Sequence, residues 1–68
     1  MALTPDEKGL LEIVLAEVGD DEKRVHEGIT KAIRRVEDRA RRIYLRNILK
    51  KAAVKRIRAA RKKYLTPG

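Results

Sequence analysis

Apolar positions fall along this chain at helical spacing and predict at least two helices. Leu10, Leu11, Ile13, Val14, Leu15 and Val18 give a wide apolar face, interrupted by Glu12 and Glu17. Its start is well marked: Thr4 can cap, Pro5 suits the first helical position, and Glu7 follows Thr4 by three residues, the capping-box spacing. Gly19 supplies a residue free to adopt a left-handed conformation at the other end. A first helix over about 5–18 is therefore expected.

Asp20 or Asp21 can cap a second helix, with Glu22 in its first turn where the helix dipole favours acid. From there the one strong breaker before Thr66 is Gly28, which we read as a point of close packing against the first helix, because a mid-helix glycine otherwise costs about 1 kcal/mol. Pro67 stops the chain, and Thr66 before it is biased away from helix. A continuous helix over 21–64 would run roughly 66 Å at 1.5 Å per residue, whereas the first helix, at about 21 Å, covers only a third of it.

Phase bears on what covers the rest. On a wheel of about 100° steps with Val36 at zero, Val25, Ile29, Ala32, Ile33, Ala40 and Ile43 lie on one side. Leu45, Ile48, Leu49, Ala52, Ala53, Ala59 and Ala60 lie on the other. Either the helix is continuous or kinked and meets different partners on its two halves, or it breaks near 44–47, with Asn47 capping a third helix. No glycine or proline assists such a turn, and Val54 and Ile57 favour continuity. The expected fold is all-α, a single domain over 1–68: a helical hairpin with a short first helix and a long basic second helix. It would self-associate into a homodimer or larger helical bundle through Leu45, Ile48, Leu49, Ala52, Ala53 and Ile57, which would otherwise form an exposed apolar patch. A compact three-helix bundle is the alternative. No heptad repeat persists for three cycles, which argues against a simple two-stranded coiled coil.

Composition narrows the function. The chain has 68 residues, no cysteine and one histidine, His26, which removes disulfides, thiolate chemistry and histidine-rich metal sites together. His26 reads as an ordinary helix residue. Glu12 and Glu17 are five apart and do not share a helix face, and there is no glycine-rich phosphate loop. We expect no catalytic residues, no metal, no cofactor and no small-molecule substrate. Scarcity of Asn, Gln, Cys and Met with abundant Arg, Lys and Glu is the habit of thermostable proteins and equally of idealised helical designs. No segment is long and apolar enough to span a membrane, and Asp6, Glu7, Glu12 and Glu17 are foreign to a signal peptide. A soluble cytoplasmic protein is expected, nucleoid-associated if it binds DNA.

Charge carries the functional reading. The net charge is +8, but its distribution matters more. Residues 1–30 hold three basic and eight acidic residues, a balance of −5, and residues 31–68 hold fifteen basic residues against Glu37 and Asp38, a balance of +13. Such asymmetry points to a polyanionic partner. The candidate phosphate contacts are Arg34, Arg35, Arg39, Arg41, Arg42, Arg46, Lys50, Lys51, Lys55, Arg56, Arg58, Arg61, Lys62 and Lys63. Arg35, Arg39, Arg42 and Arg46 repeat at four, three and four, the best single basic ridge.

Bland explanations cover part of this. Bases late in a helix complement its dipole, an acidic first helix can pack on a basic one, and Glu37 and Asp38 can neutralise Arg34, Arg41 and Arg42 at helical spacing. Two acids do not balance fifteen bases, however. Nothing matches a helix-turn-helix module with its short glycine-containing turn. Sheet-based RNA readers require stacking aromatics, and Tyr44 and Tyr64 read first as packing residues. Duplex DNA bound through its backbone with little sequence specificity is the expected partner, RNA the second choice, and a purely structural helical oligomer the alternative. A membrane partner is not expected, because polar and apolar faces are poorly segregated and Trp and Phe are absent. The likeness to small basic helical chromatin, ribosomal or viral packaging proteins is one of composition only.

Overall fold

Local chemistry sets where each helix starts. The structure, a computed structural model, describes residues 3–65, with side chains to Lys63. Helix α1 spans Pro5–Val18. Its capping box forms in full: the Glu7 amide donates to Thr4 Oγ1 at 3.2 Å and the Thr4 amide donates to Glu7 Oε1 at 3.0 Å. Gly19 ends the helix at φ 62°, donating its amide to the Leu15 carbonyl at 2.8 Å. Asp21 then caps a 3-10 turn, Glu22–Arg24, by accepting the Lys23 amide at 3.0 Å. That turn leads directly into helix α2, Val25–Ala32.

The long second helix is not continuous. It stops at Ala32, six residues follow as turn and irregular chain, and helix α3 runs over Arg39–Leu65. The break lies at 33–38, and residues 44–47 are helical, which corrects both the continuous helix over 21–64 and the break expected near Asn47. The physical reason is Asp38. Its carboxylate accepts the Ala40 amide at 3.0 Å and its carbonyl accepts the Arg42 amide at 2.9 Å, so it serves as the N-cap of α3. The break needs neither glycine nor proline.

Turning the chain at 33–38 lets α3 fold back beside the other two helices. Glu7, at the start of α1, lies by Arg41 at the start of α3, and Glu22, beyond the end of α1, lies by Arg58 and Arg61. Helices α1 and α3 therefore run in the same direction, and α2 returns between them. All described regular structure is helical, and all three helices touch one another. The core is Leu11, Val14 and Val18 of α1, Val25, Ile29 and Ile33 of the α2 region, and Leu45, Leu49, Ala53 and Ile57 of α3. The last four recur at every fourth residue and give α3 a single inner edge. Ile48 and Ala52 pack against the same core. The six positions expected to bind a second copy thus line the chain's own interior, because the earlier break brings α3 home. Ala40 and Ile43, grouped by phase with the α2 face, are exposed.

Helix α3, with 27 residues or about 40 Å, sets the longest dimension of a molecule measuring 46 × 23 × 15 Å. Among the described residues no helix is long and apolar enough to cross a membrane. The C-terminal stop expected at Thr66–Pro67 lies outside the described residues.

Gly28 is where α2 meets α1 most closely. It is buried, and a Cβ there would lie 2.7 Å from Val18 Cγ1 and 3.3 Å from Val14 Cγ1 and the Val14 carbonyl oxygen. Val18 is β-branched and stiff at χ1, so it cannot simply swing away. Gly28→Ala should lower stability by about 1–3 kcal/mol through overpacking, although alanine is the better helix former. The check is the urea midpoint; an unchanged or raised midpoint would mean that α1 and α2 separate at no cost.

Candidate nucleic-acid interface

The basic residues of α3 divide into two sets by what faces them. Helix α1 and the 3-10 turn supply acids to four arginines of α3. Glu7 lies 3.8 Å from Arg41, Glu12 lies 3.7 Å from Arg56, and Glu22 lies 2.8 Å from Arg58 and 3.8 Å from Arg61. Arg61 also donates to the Asp20 carbonyl at 3.4 Å. Glu7 is the one buried charged residue described, 3% exposed, and it joins the capping box of α1 to the first turn of α3. Glu17 takes Lys31 and Arg24, and Glu27 of α2 takes Arg24 of the 3-10 turn at 3.3 Å.

The second set has no such partner. Arg34, Arg35, Arg39, Arg42, Arg46, Lys50, Lys51, Lys55 and Lys63 have no acidic group within 4 Å among the described residues. Glu37 lines an open notch with Arg39, Arg42, Ile43 and Arg46, yet it forms no ion pair with any of them, and Asp38 is committed to its cap. Neither neutralises Arg34, Arg41 or Arg42 as their spacing suggested. Lys62 and Lys63 are exposed close to the end of α3.

Helix direction sharpens the imbalance. The first turn of α3 contains Arg39, Arg41 and Arg42 and no acid. Cations at that end oppose the helix macrodipole, whose positive pole lies there. Dipole complementation explains the bases late in α3; it does not explain these. Arg35 is no longer in helical register with Arg39, because 36–38 are irregular. The ridge expected over 35–46 is therefore Arg39, Arg42 and Arg46 on α3, with Arg34 and Arg35 on the turn beside it.

Three residues of this surface were not among the sequence-derived site positions. Ile43 is 56% and Tyr44 44% exposed, which corrects the reading of Tyr44 as a packing residue. The Arg41 guanidinium stands 5.3 Å from the Tyr44 ring centroid, within cation–π range. Asn47 is exposed in mid-helix, a position where asparagine is a poor helix former. The usable sequence signal was Asp38 as a cap: a helix starting there turns Leu45 and Leu49 onto the chain's own core and leaves Ile43 and Asn47, on its opposite side, exposed. The Tyr64 side chain lies outside the described residues. His26 is exposed, and its carbonyl accepts the Thr30 hydroxyl at 3.0 Å. No group of three or more metal-ligating side chains occurs among the described residues.

Comparison with protein-family models, with curated proteins and with solved structures gives no match.

The ion pairs also fix a response to acid. A hydrogen bond from Arg58, reinforced by the charges of Arg58 and Arg61, holds the Glu22 carboxyl below its ordinary value. Glu17 is held down likewise by the hydrogen bond and charge of Lys31 and by the charge of Arg24. Both are lowered in the folded state, so the folded chain binds fewer protons than the unfolded one near an ordinary glutamate value of about 4.3. The stability they contribute is complete above that pH and drains away as pH falls through the lowered folded values. Glu22→Gln should flatten this acid limb of the stability–pH curve while leaving its slope at neutral pH alone. Chemical denaturation from pH 7 to pH 2 measures it, and an unaltered acid limb would dissociate Glu22 from the fold.

Proposed function

We propose that this chain binds nucleic acid through phosphate contacts from α3 and the turn before it, with duplex DNA the preferred partner and RNA the second. The observation that carries the reading is the uncompensated charge: Arg39, Arg42, Arg46, Lys50, Lys51 and Lys55 stand without acidic partners, although α1 and the turn after it answer four other arginines of the same helix with three acids. A chain using charge only for solubility has no need to concentrate one sign at the N-terminal end of a helix, against the dipole. Phosphate oxygens would relieve that repulsion.

The shape suits a duplex. Helix α3 presents bases over a length of several turns, comparable with the path of a duplex backbone, and phosphates at regular intervals can meet side chains on successive turns. Contacts of this kind supply affinity and register without reading sequence. The apolar positions of α3 that argued for assembly are occupied within the chain, which leaves its outer surface for a partner.

Fluorescence anisotropy with mixed-sequence duplex DNA over a salt series tests the proposal. Six contacts or more should make affinity fall about 10³-fold or more between 50 and 200 mM salt. Reversing Arg39, Arg42 and Arg46 to Glu should weaken binding to all sequences alike and reduce the salt slope by about one per lost phosphate contact. A slope near zero, or no binding at low salt, leaves the structural-oligomer reading in its place. Sedimentation equilibrium of the free chain then reports assembly directly.

A further inference from the structure

The exposed side of α3 is not uniformly basic. With Leu45 at zero on a wheel of about 100° steps, Leu49 falls near 40° and the direction away from this part of the core is near 200°. Asn47 lies there, with Ala40 and Ile43 about 20° and 40° to either side. Together they form a neutral strip at spacings of three and four, exposed along its length. Arg39 and Arg46 stand on one side of the strip, Tyr44 and Arg41 on the other, and Lys51 and Lys55 continue the outward line one and two turns beyond Asn47.

A short neutral strip bordered by arginines and continued by lysines has the layout of a helix set into a groove. The cationic side chains face backbone phosphates, and the strip faces the base edges. We infer that Ala40, Ile43 and Asn47 read base edges in the major groove of duplex DNA, with a preference for A·T pairs. The inference rests on the proposed phosphate binding and adds to it a means of sequence preference.

Three chemical arguments support the assignment. A helix about 10–12 Å across with its side chains fits a major groove about 12 Å wide and not a minor groove about 6 Å wide. The asparagine amide matches adenine N6 and N7 as donor and acceptor, and an exposed aliphatic group suits the thymine methyl. Asn47 and Ile43 are both costly in water at this site: asparagine is a weak mid-helix residue, and Ile43 is 56% exposed beside arginines. Neither contributes to the core. Ala40, being small, lets the helix axis approach the bases. From Ala40 to Asn47 the rise is about 10 Å, or three base-pair steps at about 3.4 Å each, so the preferred site spans three or four pairs.

The test uses the full chain, with selection from a randomised duplex pool followed by anisotropy competition. The expected result is enrichment of an A·T-bearing site bound about tenfold more tightly than unselected DNA. Asn47→Ala and Ile43→Ala should each abolish most of that preference while affinity for unselected DNA stays within about twofold. Both positions are exposed, and circular dichroism verifies that the variants fold. Replacing adenine by 7-deazaadenine in the selected site removes N7 from the major groove. It should weaken wild-type binding and leave Asn47→Ala unaffected.

Tight, salt-dependent binding without enrichment, or enrichment that survives both substitutions, overturns the base-reading strip and leaves the phosphate reading intact. Absence of binding at low salt overturns both. Equal competition by duplex RNA, whose major groove is too deep and narrow for a helix, rules out groove insertion. A DNA-free dimer that Ile43→Ala dissociates assigns this strip to a second copy of the chain instead.

Discussion

Asp38 takes the Ala40 amide on its carboxylate and the Arg42 amide on its carbonyl, and from that cap the remainder of the architecture follows. Without it, α2 and α3 would form one rod whose distal half no other element of a 68-residue chain is long enough to cover. With it, α3 turns back alongside α1 and brings Leu45, Leu49, Ala53 and Ile57 into one interior with Val14, Val18, Ile29 and Ile33. The cap also determines which residues face outward. Once the register of α3 is set at Arg39, burying Leu45 and Leu49 leaves Ile43 and Asn47 on the far side, whatever their own preferences.

The same turn separates the charges. Seen along the sequence, an acidic half precedes a basic half. In the fold, three of those acids, Glu7, Glu12 and Glu22, answer Arg41, Arg56, Arg58 and Arg61. Exposed pairs of this kind contribute little to stability one by one. Their larger consequence is geometric, since they leave the turn at 33–38 and the outer surface of α3 as the uncompensated part of the molecule. Glu7 joins the two organising features, because its carboxylate completes the cap of α1 and faces Arg41 in the first turn of α3.

Helix α1 was legible to the residue, since Thr4, Pro5, Glu7 and Gly19 each act through local chemistry that a linear reading contains. So was the role of Gly28, because a glycine in mid-helix with no turn around it implies a close neighbour. The break at 33–38 was not. Ala40 and Ile43 happen to continue the angular phase of Val25, Ile29 and Ile33, so the apolar pattern hid the change of helix and shifted its apparent position to 44–46. Without glycine or proline, the remaining signal was one aspartate among arginines, which reads equally well as a neutralising charge. The assembly expected through Leu45, Ile48, Leu49, Ala52, Ala53 and Ile57 followed from that misplacement: a helix beginning at Arg39 reaches its own core with those residues. The basic character of the candidate surface was visible in composition. Which bases are left unanswered depends on which acids α1 brings alongside, and that is a property of the fold alone.

Amide chemical-shift mapping of the full chain, titrated with a mixed-sequence DNA duplex at low salt, shows whether the unanswered basic surface of α3 is where a polyanion docks. Shifts should concentrate between Arg34 and Lys55, strongest around Arg39, Arg42, Arg46 and Lys51, with the exposed outer face of α1 at Gly9, Ile13 and Ala16 unmoved. Shifts centred on α1, or spread evenly over the chain, would contradict docking there.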